Sequence, residues 1–216
     1  MDFSYLFEPY DSIVSRADDA FQQRGREFPE CIRCEPHCAD CCHAVFGLFL
    51  IEAVFLKHDF DRLNQAEREA ALQRGHDADK ALEKLEGTVR SFKDDPQMIS
   101  YALARARIRC PLLNDQNECI LYPYRPITCR VYGIPTKVRG VSRVCGKAGF
   151  KKEATYPVFD LDEVHRELYQ LSKELLQGGG HKDLDRASLL LSVSKVIQTP
   201  VEELMDKLSG GPETTP

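Results

Sequence analysis

Nine cysteines in 216 residues are the part of this sequence best suited to chemistry. Five of them fall within twelve residues, in the order Cys31, Cys34, Cys38, Cys41 and Cys42. Two Cys-x-x-Cys spacings occur in this loop, and a turn of that length can aim two sulfur atoms at one metal ion. Thiolates are soft ligands that suit zinc, iron and iron–sulfur clusters rather than magnesium or calcium. The loop therefore predicts a metal site.

The adjacent pair Cys41 and Cys42 constrains how that site is built. Neighbouring side chains point apart in a strand and also in a helix, so the two thiols are poorly placed to serve one small ion together. Either one of them is a bystander or they serve separate metal positions. A multinuclear cluster or two neighbouring sites fits this geometry more easily than a single zinc ion.

A second group of cysteines follows later in the chain, at Cys110, Cys119, Cys129 and Cys145. The first two flank a turn-like segment, 114–117, and we expect folding to bring the whole group to the first loop. Two further candidates for the metal are Cys31, at the edge of the first loop, and His37, inside it, because imidazole can replace a thiolate in a zinc site.

Cysteine usage also bears on the compartment. The N-terminus has neither the basic region nor the apolar region of a secretory signal. The most apolar stretch, 44–56, has 13 residues and contains Glu52, whereas a membrane-spanning helix needs about 20 apolar residues. We therefore expect a cytoplasmic protein without a membrane span, in which thiols stay reduced and bind metal rather than pair as disulfides.

Charge is distributed unevenly along the chain. The net charge is −5, yet residues 105–152 hold eleven Lys and Arg against two Asp and Glu. One explanation is that Arg125 and Arg130, which flank Cys129, offset the thiolates' charge, with Tyr122 and Tyr132 beside them. The other is that the segment binds an anionic substrate, cofactor or protein surface through Arg130 and its basic neighbours. The negative net charge of the chain disfavours nucleic acid as a partner.

Periodicity and helix propensity predict a mainly α fold, in which an irregular cysteine-rich centre with short strands packs among about six helices. The predicted helices cover 11–24, 51–63, 64–93, 94–109, 160–176, 184–197 and 200–208, and a short strand covers 44–50. Residues 1–160 would form the metal-binding part and 161–209 the C-terminal helices packed on it, within one domain. Glycines 178–180 suggest a hinge, and 210–216 a disordered tail.

The ordered cysteines resemble a known family. The run Cys34, Cys38, Cys41-Cys42, then Cys110-Pro-Leu-Leu, Cys119-Ile-Leu-Tyr122, Arg125-Pro126 and Cys129-Arg130-x-Tyr132, is similar to the zinc- or iron-chelating CxxCxxCC family. That family includes the flagellin lysine N-methylases. The likeness implies a metal-binding role for the matching cysteines, over about half the chain. Three residues rather than two separate Cys34 from Cys38, and Cys31 and Cys145 match the pattern less closely.

Several functions stay open at this point. The Cys34-x-x-x-Cys38-x-x-Cys41 spacing is also the one that holds a 4Fe–4S cluster in radical S-adenosylmethionine enzymes, but no alternating βα pattern follows it. The main hypothesis is a metal-binding accessory factor that docks a protein partner. The alternatives are an enzyme resembling a protein lysine N-methyltransferase, with S-adenosylmethionine as cofactor, and a purely structural zinc module.

Overall fold

The architecture is mainly helical, as predicted. The computed structural model describes residues 4–206, and the predicted disordered tail lies outside them. In the described part there are eight α-helices: α1 (Phe7–Glu27), α2 (Leu50–Phe60), α3 (Gln65–Ser91), α4 (Pro96–Arg105), α5 (Ile127–Val131), α6 (Leu161–Gly178), α7 (Val193–Gln198) and α8 (Val201–Asp206). The three strands are β1 (Thr136–Val138), β2 (Val141–Arg143) and β3 (Phe159–Asp160). None of the helices in residues 4–206 has the length and apolar content to cross a bilayer.

Helix α2 lies at the centre of the core, and nine of its eleven residues are buried. Helices α6, α7 and α8 pack around it, while α1 packs on α5 and α6. The leucines at 161, 168, 171 and 175 bury the inner face of α6, as their spacing predicts. Asp160 begins that helix by accepting a hydrogen bond from the Glu163 amide. The first cysteine-bearing loop therefore starts on α1 and ends on α2, two helices that belong to the core.

Three local predictions were wrong. Residues 44–50 do not form a strand; they make isolated bridges from Ala44 to Arg107 and from Leu48 to Leu191. The predicted helix over 94–109 ends at Arg105, because the chain beyond it is extended where it pairs with Ala44. The predicted helix over 184–197 is interrupted for a similar reason. Leu191 pairs with Leu48 through two backbone hydrogen bonds of 2.8 and 2.9 Å, so α7 starts only at Val193.

The three glycines at 178–180 form a helix end. Gly180 has φ +77°, a conformation that favours glycine. The amides of Gly179, Gly180 and His181 donate hydrogen bonds to the carbonyls of the last turn of α6. These glycines therefore cap α6 and turn the chain back toward the core.

Helices α3 and α4 follow one another in the chain and pack together. The first half of α3 packs against α7, with Gly75 under Gln198, where an added Cβ would lie 3.0 Å from the amide nitrogen Nε2. Helix α4 packs on α3 and has no buried residue. Arg74 of α3 donates a hydrogen bond to the Pro111 carbonyl at 2.8 Å, which ties α3 to the loop that carries Cys110 and Cys119.

The small sheet fixes the last cysteine segment. Strand β1 lies between an antiparallel β2 and a parallel β3. The turn from β1 to β2 uses Arg139 at φ +53° and Gly140 at φ +72°. Both turn amides donate to the carboxylate of Asp162 at 2.6 and 2.8 Å. The hairpin that precedes Cys145 is thereby tied to the first turn of α6.

Candidate metal centre

Backbone pairing brings the first cysteine loop to the middle of the chain. The Cys110 amide donates to the Cys42 carbonyl at 2.7 Å, and the Ile108 amide donates to the His43 carbonyl at 3.0 Å. With the bridge between Ala44 and Arg107, these bonds form a short antiparallel contact. Cys42 and Cys110 therefore become neighbours although 68 positions separate them in the sequence.

Cys110 and Cys119 flank a tight turn, as predicted. The side chain of Asn114 accepts hydrogen bonds from the amides of Gln116 and Glu118, and Asn117 adopts φ +59°. Leu113 and Cys119 form an isolated antiparallel β-bridge across this turn. Both sulfur atoms accept a hydrogen bond from the backbone amide two residues ahead, at Leu112 and Leu121. Such bonds favour the thiolate, which is the form that binds metal.

Cys129 enters the same centre on the five-residue helix α5. That helix begins at Ile127, and the Ile127 amide donates to a buried carboxylate oxygen of Glu52 at 3.0 Å. The other oxygen of Glu52 accepts from the Phe49 amide at 3.1 Å. One buried carboxyl group thus caps the N-termini of both α2 and α5. Glu52 was missed from the sequence because it lies within an apolar run and nothing marks its partner.

Five cysteines line one cavity. It has a volume of about 70 Å³, and its cysteines are Cys41, Cys42, Cys110, Cys119 and Cys129. We call these residues the cavity cysteines. The other wall is largely apolar and includes Val45, Phe46, Leu82, Ile108 and Val193. The cavity therefore has a soft, thiol-rich side and an apolar side.

The charge of Cys41 raises the pKa values of the other four cavity cysteines and of Cys34. A hydrogen bond from the Cys42 thiol, with the nearby Arg125 guanidinium, lowers the pKa of Cys41 to about 7 despite burial. The same hydrogen bond, together with burial, raises the pKa of Cys42. One thiolate is therefore accessible near neutral pH.

Burial keeps protons on the remaining cavity cysteines. It raises the pKa of Cys110 to about 12, raises that of Cys119, and raises that of Cys129 well above its ordinary value. A thiol in such surroundings ionises when a cation takes the place of its proton. The group is therefore chemically suited to zinc or iron, whose charge would offset the desolvation of several thiolates.

Arg125 supplies positive charge at the cavity. It contributes to the cavity wall and lowers the pKa of its cysteine neighbours. Its Nε donates to the Tyr122 carbonyl at 2.9 Å, and its guanidinium carbon lies 3.6 Å from the centre of the exposed Tyr122 ring. The tyrosine face and carbonyl thus hold the guanidinium beside the thiols.

Arg130 follows Cys129 in the sequence, but its side chain hydrogen-bonds to α1 and to the loop before α5. It is 7% exposed and donates to Asp18 of α1 and to the Arg125 carbonyl, each at 2.7 Å, and also to the Pro123 carbonyl. In the described part of the chain its hydrogen bonds all go to oxygen atoms. Arg130 therefore ties α1 to the loop that carries Arg125.

The remaining candidate ligands gather at the rim of the centre. Burial is the largest cause that raises the pKa of Cys34 to about 11. The charges of Cys38, Cys145 and Cys41 also raise it. The Cys145 thiol lies 3.3 Å from Oδ2 of Asp40. Asp40 was not predicted, although an acid between Cys38 and Cys41 is a signal that could have been used.

Tyr132 belongs to this rim as well. Its hydroxyl accepts a hydrogen bond from Arg107, which also binds Asp40 at 2.7 Å. Burial raises the pKa of Tyr132, with the Arg107 hydrogen bond opposing it.

Cys31 and His37 stand apart from both groups. Cys31 is buried, and after burial the groups that act on its pKa are Glu30, Tyr156 and Arg33 rather than another thiol. His37 adopts φ +66°, is mostly exposed, and its Nδ1 lies 2.9 Å from the Gln116 carbonyl oxygen. Their roles as ligands stay predictions.

In residues 4–206 no three His, Cys, Asp or Glu side chains are already grouped at the distances of a bound metal ion. The loop backbones are held by hydrogen bonds, whereas a cysteine side chain needs only a χ1 rotation to redirect its sulfur. The chemistry of the donor set fits a thiophilic metal, which the cavity cysteines would hold.

The comparisons with known proteins agree with the chemistry of the donors. Neither the curated proteins nor the solved structures contain a match to this chain. A family model described as "Putative zinc- or iron-chelating domain" matches residues 33–146. This range includes the eight cysteines of the cavity and the rim, covers more than half of the 216 residues, and leaves Cys31 outside. The chain therefore belongs to the CxxCxxCC family.

Proposed function

We propose that this protein binds zinc or iron through the cavity cysteines. The observation that carries the proposal is the convergence of five thiols, from segments 41–42, 110–119 and 129, on one cavity. Arg125 and the amides aimed at Cys110 and Cys119 favour the thiolate form. Thiolates in a largely apolar surrounding select soft or borderline cations.

Five thiols exceed the four that saturate a tetrahedral structural zinc ion. The excess, and the apolar space beside the sulfur atoms, favour a centre with an open side over a closed structural module. An iron–sulfur cluster of the 4Fe–4S type is the form of iron that would use adjacent thiols such as Cys41 and Cys42 most easily. We infer that the centre is exchangeable or reactive.

The role we assign is that of a cytoplasmic accessory factor that docks a protein partner. A reducing compartment would keep the cavity thiols available for metal. The second candidate is a metal-dependent enzyme, such as a protein lysine N-methyltransferase that uses S-adenosylmethionine. The observation in its favour is that Phe46, Leu82 and Val193 give the cavity an apolar lining beside its cysteines.

The first experiment is anaerobic purification, followed by an absorption spectrum and elemental analysis. We expect the wild-type chain to contain stoichiometric zinc or iron. Absorption near about 400 nm with acid-labile sulfide would identify a cluster, whereas a colourless zinc protein would favour the accessory role. A wild-type chain that takes up neither metal would contradict the proposal.

Two variants and a control locate the centre. Cys110→Ser and Cys129→Ser should each lower the metal content, since each removes a thiol from the cavity wall. Cys31→Ser should leave the metal content unchanged, because Cys31 lies apart from the other thiols. Full metal content in both cavity variants would place the metal elsewhere.

A further inference from the structure

Strand β2 is the open edge of the small sheet. The strand order is β2-β1-β3, so within residues 4–206 β2 pairs with β1 alone. Its three residues are exposed, and the exposed stretch covers 139–144. We propose that β2 docks an extended acidic segment of a partner protein as an added strand. The proposal rests on the proposed docking role and deepens it by naming the surface and the chemistry of the partner.

The hairpin geometry turns the backbone groups of Ser142 outward. The two turn residues between β1 and β2 both have positive φ, as in a type I′ hairpin. The residues that flank such a turn, Val138 and Val141, exchange hydrogen bonds, whereas the next pair, Lys137 and Ser142, does not. The amide and the carbonyl of Ser142 therefore point away from β1. A partner strand accepts from this amide and donates to this carbonyl.

Strand β1 shows what pairing on both sides looks like in this sheet. On the side away from β2 it pairs in parallel with β3, and the Phe159 amide donates to the Pro135 carbonyl at 2.9 Å. An ion pair between Lys137 and Asp160 joins the same two strands. In the described part of the chain β2 has a neighbour on one side only. An unpaired edge of this kind is a template for another strand.

Charge identifies the partner. Residues 137–152 contain six Lys and Arg and no Asp or Glu. Two of the six are paired, Lys137 with Asp160 and Lys147 with Asp40. Among residues 4–206 the side chains of the other four find no ion-pair partner: Arg139, Arg143, Lys151 and Lys152. Positive charge that the chain itself does not offset favours an acidic partner.

The same charge disfavours a second copy of this chain as the added strand. Two β2 strands side by side would bring Arg139 and Arg143 of one copy close to the same residues of the other. Like charges on neighbouring strands are destabilising, and charged side chains are a common protection of sheet edges against self-association. An acidic strand does not meet this repulsion.

The valines of the edge favour a polypeptide over a nucleic acid. Val141 and Val144 are 55% and 39% exposed. Valine packs well against the side chains of a neighbouring strand. A nucleic acid would contact the cations through its phosphates and leave both valines in water. A strand with acidic and apolar side chains uses the arginines and the valines together.

The position of β2 places a docked partner beside the metal centre. Cys145 follows the end of β2 by two residues, and the Thr136 hydroxyl donates to the Arg143 carbonyl at 3.3 Å. The turn amides are bound to Asp162 of α6. The edge is therefore part of a braced hairpin, and a strand added to it lies at the rim that contains Cys145.

Peptide binding tests the proposal. The full-length chain as purified is titrated into a labelled peptide, about seven residues long so that it extends past both ends of β2, in which glutamate alternates with valine. Fluorescence anisotropy measures the Kd. We expect binding that added salt weakens, and no binding of the matched peptide in which lysine replaces glutamate.

Variants locate the peptide on β2. Ser142→Pro removes the outward amide and leaves the bonds to β1 in place, so the Kd should rise at least about tenfold. Ser142→Ala, the matched control, keeps the amide and should bind as the wild type does. Arg143→Glu should also weaken binding, whereas Arg90→Glu, on the exposed end of α3, should not. If Ser142→Pro does not fold by circular dichroism, Arg143→Glu and its control decide the test.

The outcomes separate this proposal from the metal site. Metal content is measured on every sample, so a folded chain with metal that binds neither peptide would overturn the docking edge alone. A chain that binds the glutamate peptide but contains neither zinc nor iron would overturn the metal site alone. Equal binding of both peptides, or wild-type binding by folded Ser142→Pro, would overturn the docking edge. A dimer that Ser142→Pro abolishes would assign the edge to a second copy and overturn it as well.

Discussion

The cavity and the rim hold cysteines in contrasting surroundings. Burial dominates the cavity, where it raises the pKa of Cys110 to about 12 and that of Cys129 well above its ordinary value. The rim contains more charge: Cys34 is exposed there, and the buried Cys145 contacts Asp40, which pairs with Arg107 and Lys147. Ion pairs therefore lie beside the rim thiols, whereas the cavity cysteines lie against largely apolar side chains. We therefore expect that loss of metal, or of a packing contact, lowers the stability of the protein more at the cavity than at the rim.

Removal of metal should produce the largest effect. A chelator under reducing conditions should lower the Tm of the loaded wild type sharply, because structural metal sites in small peptides contribute about 10–16 kcal/mol to folding. The double variant Cys110→Ser/Cys129→Ser should unfold at a temperature that the chelator no longer changes much. The double variant Cys34→Ser/Cys145→Ser should keep most of the chelator-dependent shift, as measured by scanning calorimetry. Equal shifts in both would remove the distinction between cavity and rim.

Arg130→Ala should cost about 2–4 kcal/mol of unfolding free energy, measured by urea denaturation, because it leaves buried hydrogen-bond partners unpaired. The guanidinium joins Asp18 of α1 to the carbonyls of Pro123 and Arg125. The control is Arg107→Ala at the rim, which breaks an ion pair of the same 2.7 Å length with a half-exposed arginine. Partly exposed pairs contribute about 0–1 kcal/mol, so a comparable loss in both variants would contradict the assignment.

Glu52 should make stability depend on pH. Burial raises its pKa to about 7, above the value of about 4.3 in an unfolded chain. Between these values the folded chain keeps a proton that the unfolded chain releases. Stability should therefore fall as pH rises from about 4.3 to about 7, by up to about 4 kcal/mol.

Denaturation of the metal-free chain at pH 5 and pH 8 measures this effect. Glu52→Gln should be less stable at pH 5, since an amide can accept from only one of the Phe49 and Ile127 amides, and should show a smaller fall between the two pH values. The exposed Glu86→Gln on α3 is the control. An unchanged pH dependence in Glu52→Gln would rule out this role.

Arg125→Ala should have the smallest effect. Loss of its charge should raise the pKa of Cys41 from about 7, and alkylation of the metal-free chain by iodoacetamide at pH 7 should slow several-fold. Mass spectrometry of the Cys41 peptide measures the rate. Arg90→Ala, on the exposed end of α3, should leave it unchanged. A rate unaltered by Arg125→Ala would show that hydrogen bonds to the Cys41 sulfur, rather than the Arg125 charge, lower its pKa.

Much of the helical framework could be predicted from local pattern. The leucine spacing of α6 and the Asp-Asp-Pro start of α4 are short-range signals, and both helices begin within a few residues of the predicted positions. The segment 184–197 was assigned wrongly because Leu191 pairs with Leu48, a contact 143 positions apart that local propensity does not contain. The segment 44–50 is not a strand because its contacts with Arg107 and Leu191 are single bridges to two different segments.

For the site, the sequence by itself determined which chemistry is present. The number, type and spacing of the cysteines limit the ligand to a soft metal, because thiolate softness is a property of the residue and not of the fold. The tertiary structure decided which thiols share a cavity, that Asp40 lies beside Cys145, and that Glu52 caps the helix of Cys129. It did so because burial and pairing between distant segments set each thiol's surroundings, and these surroundings exist only once the chain has folded.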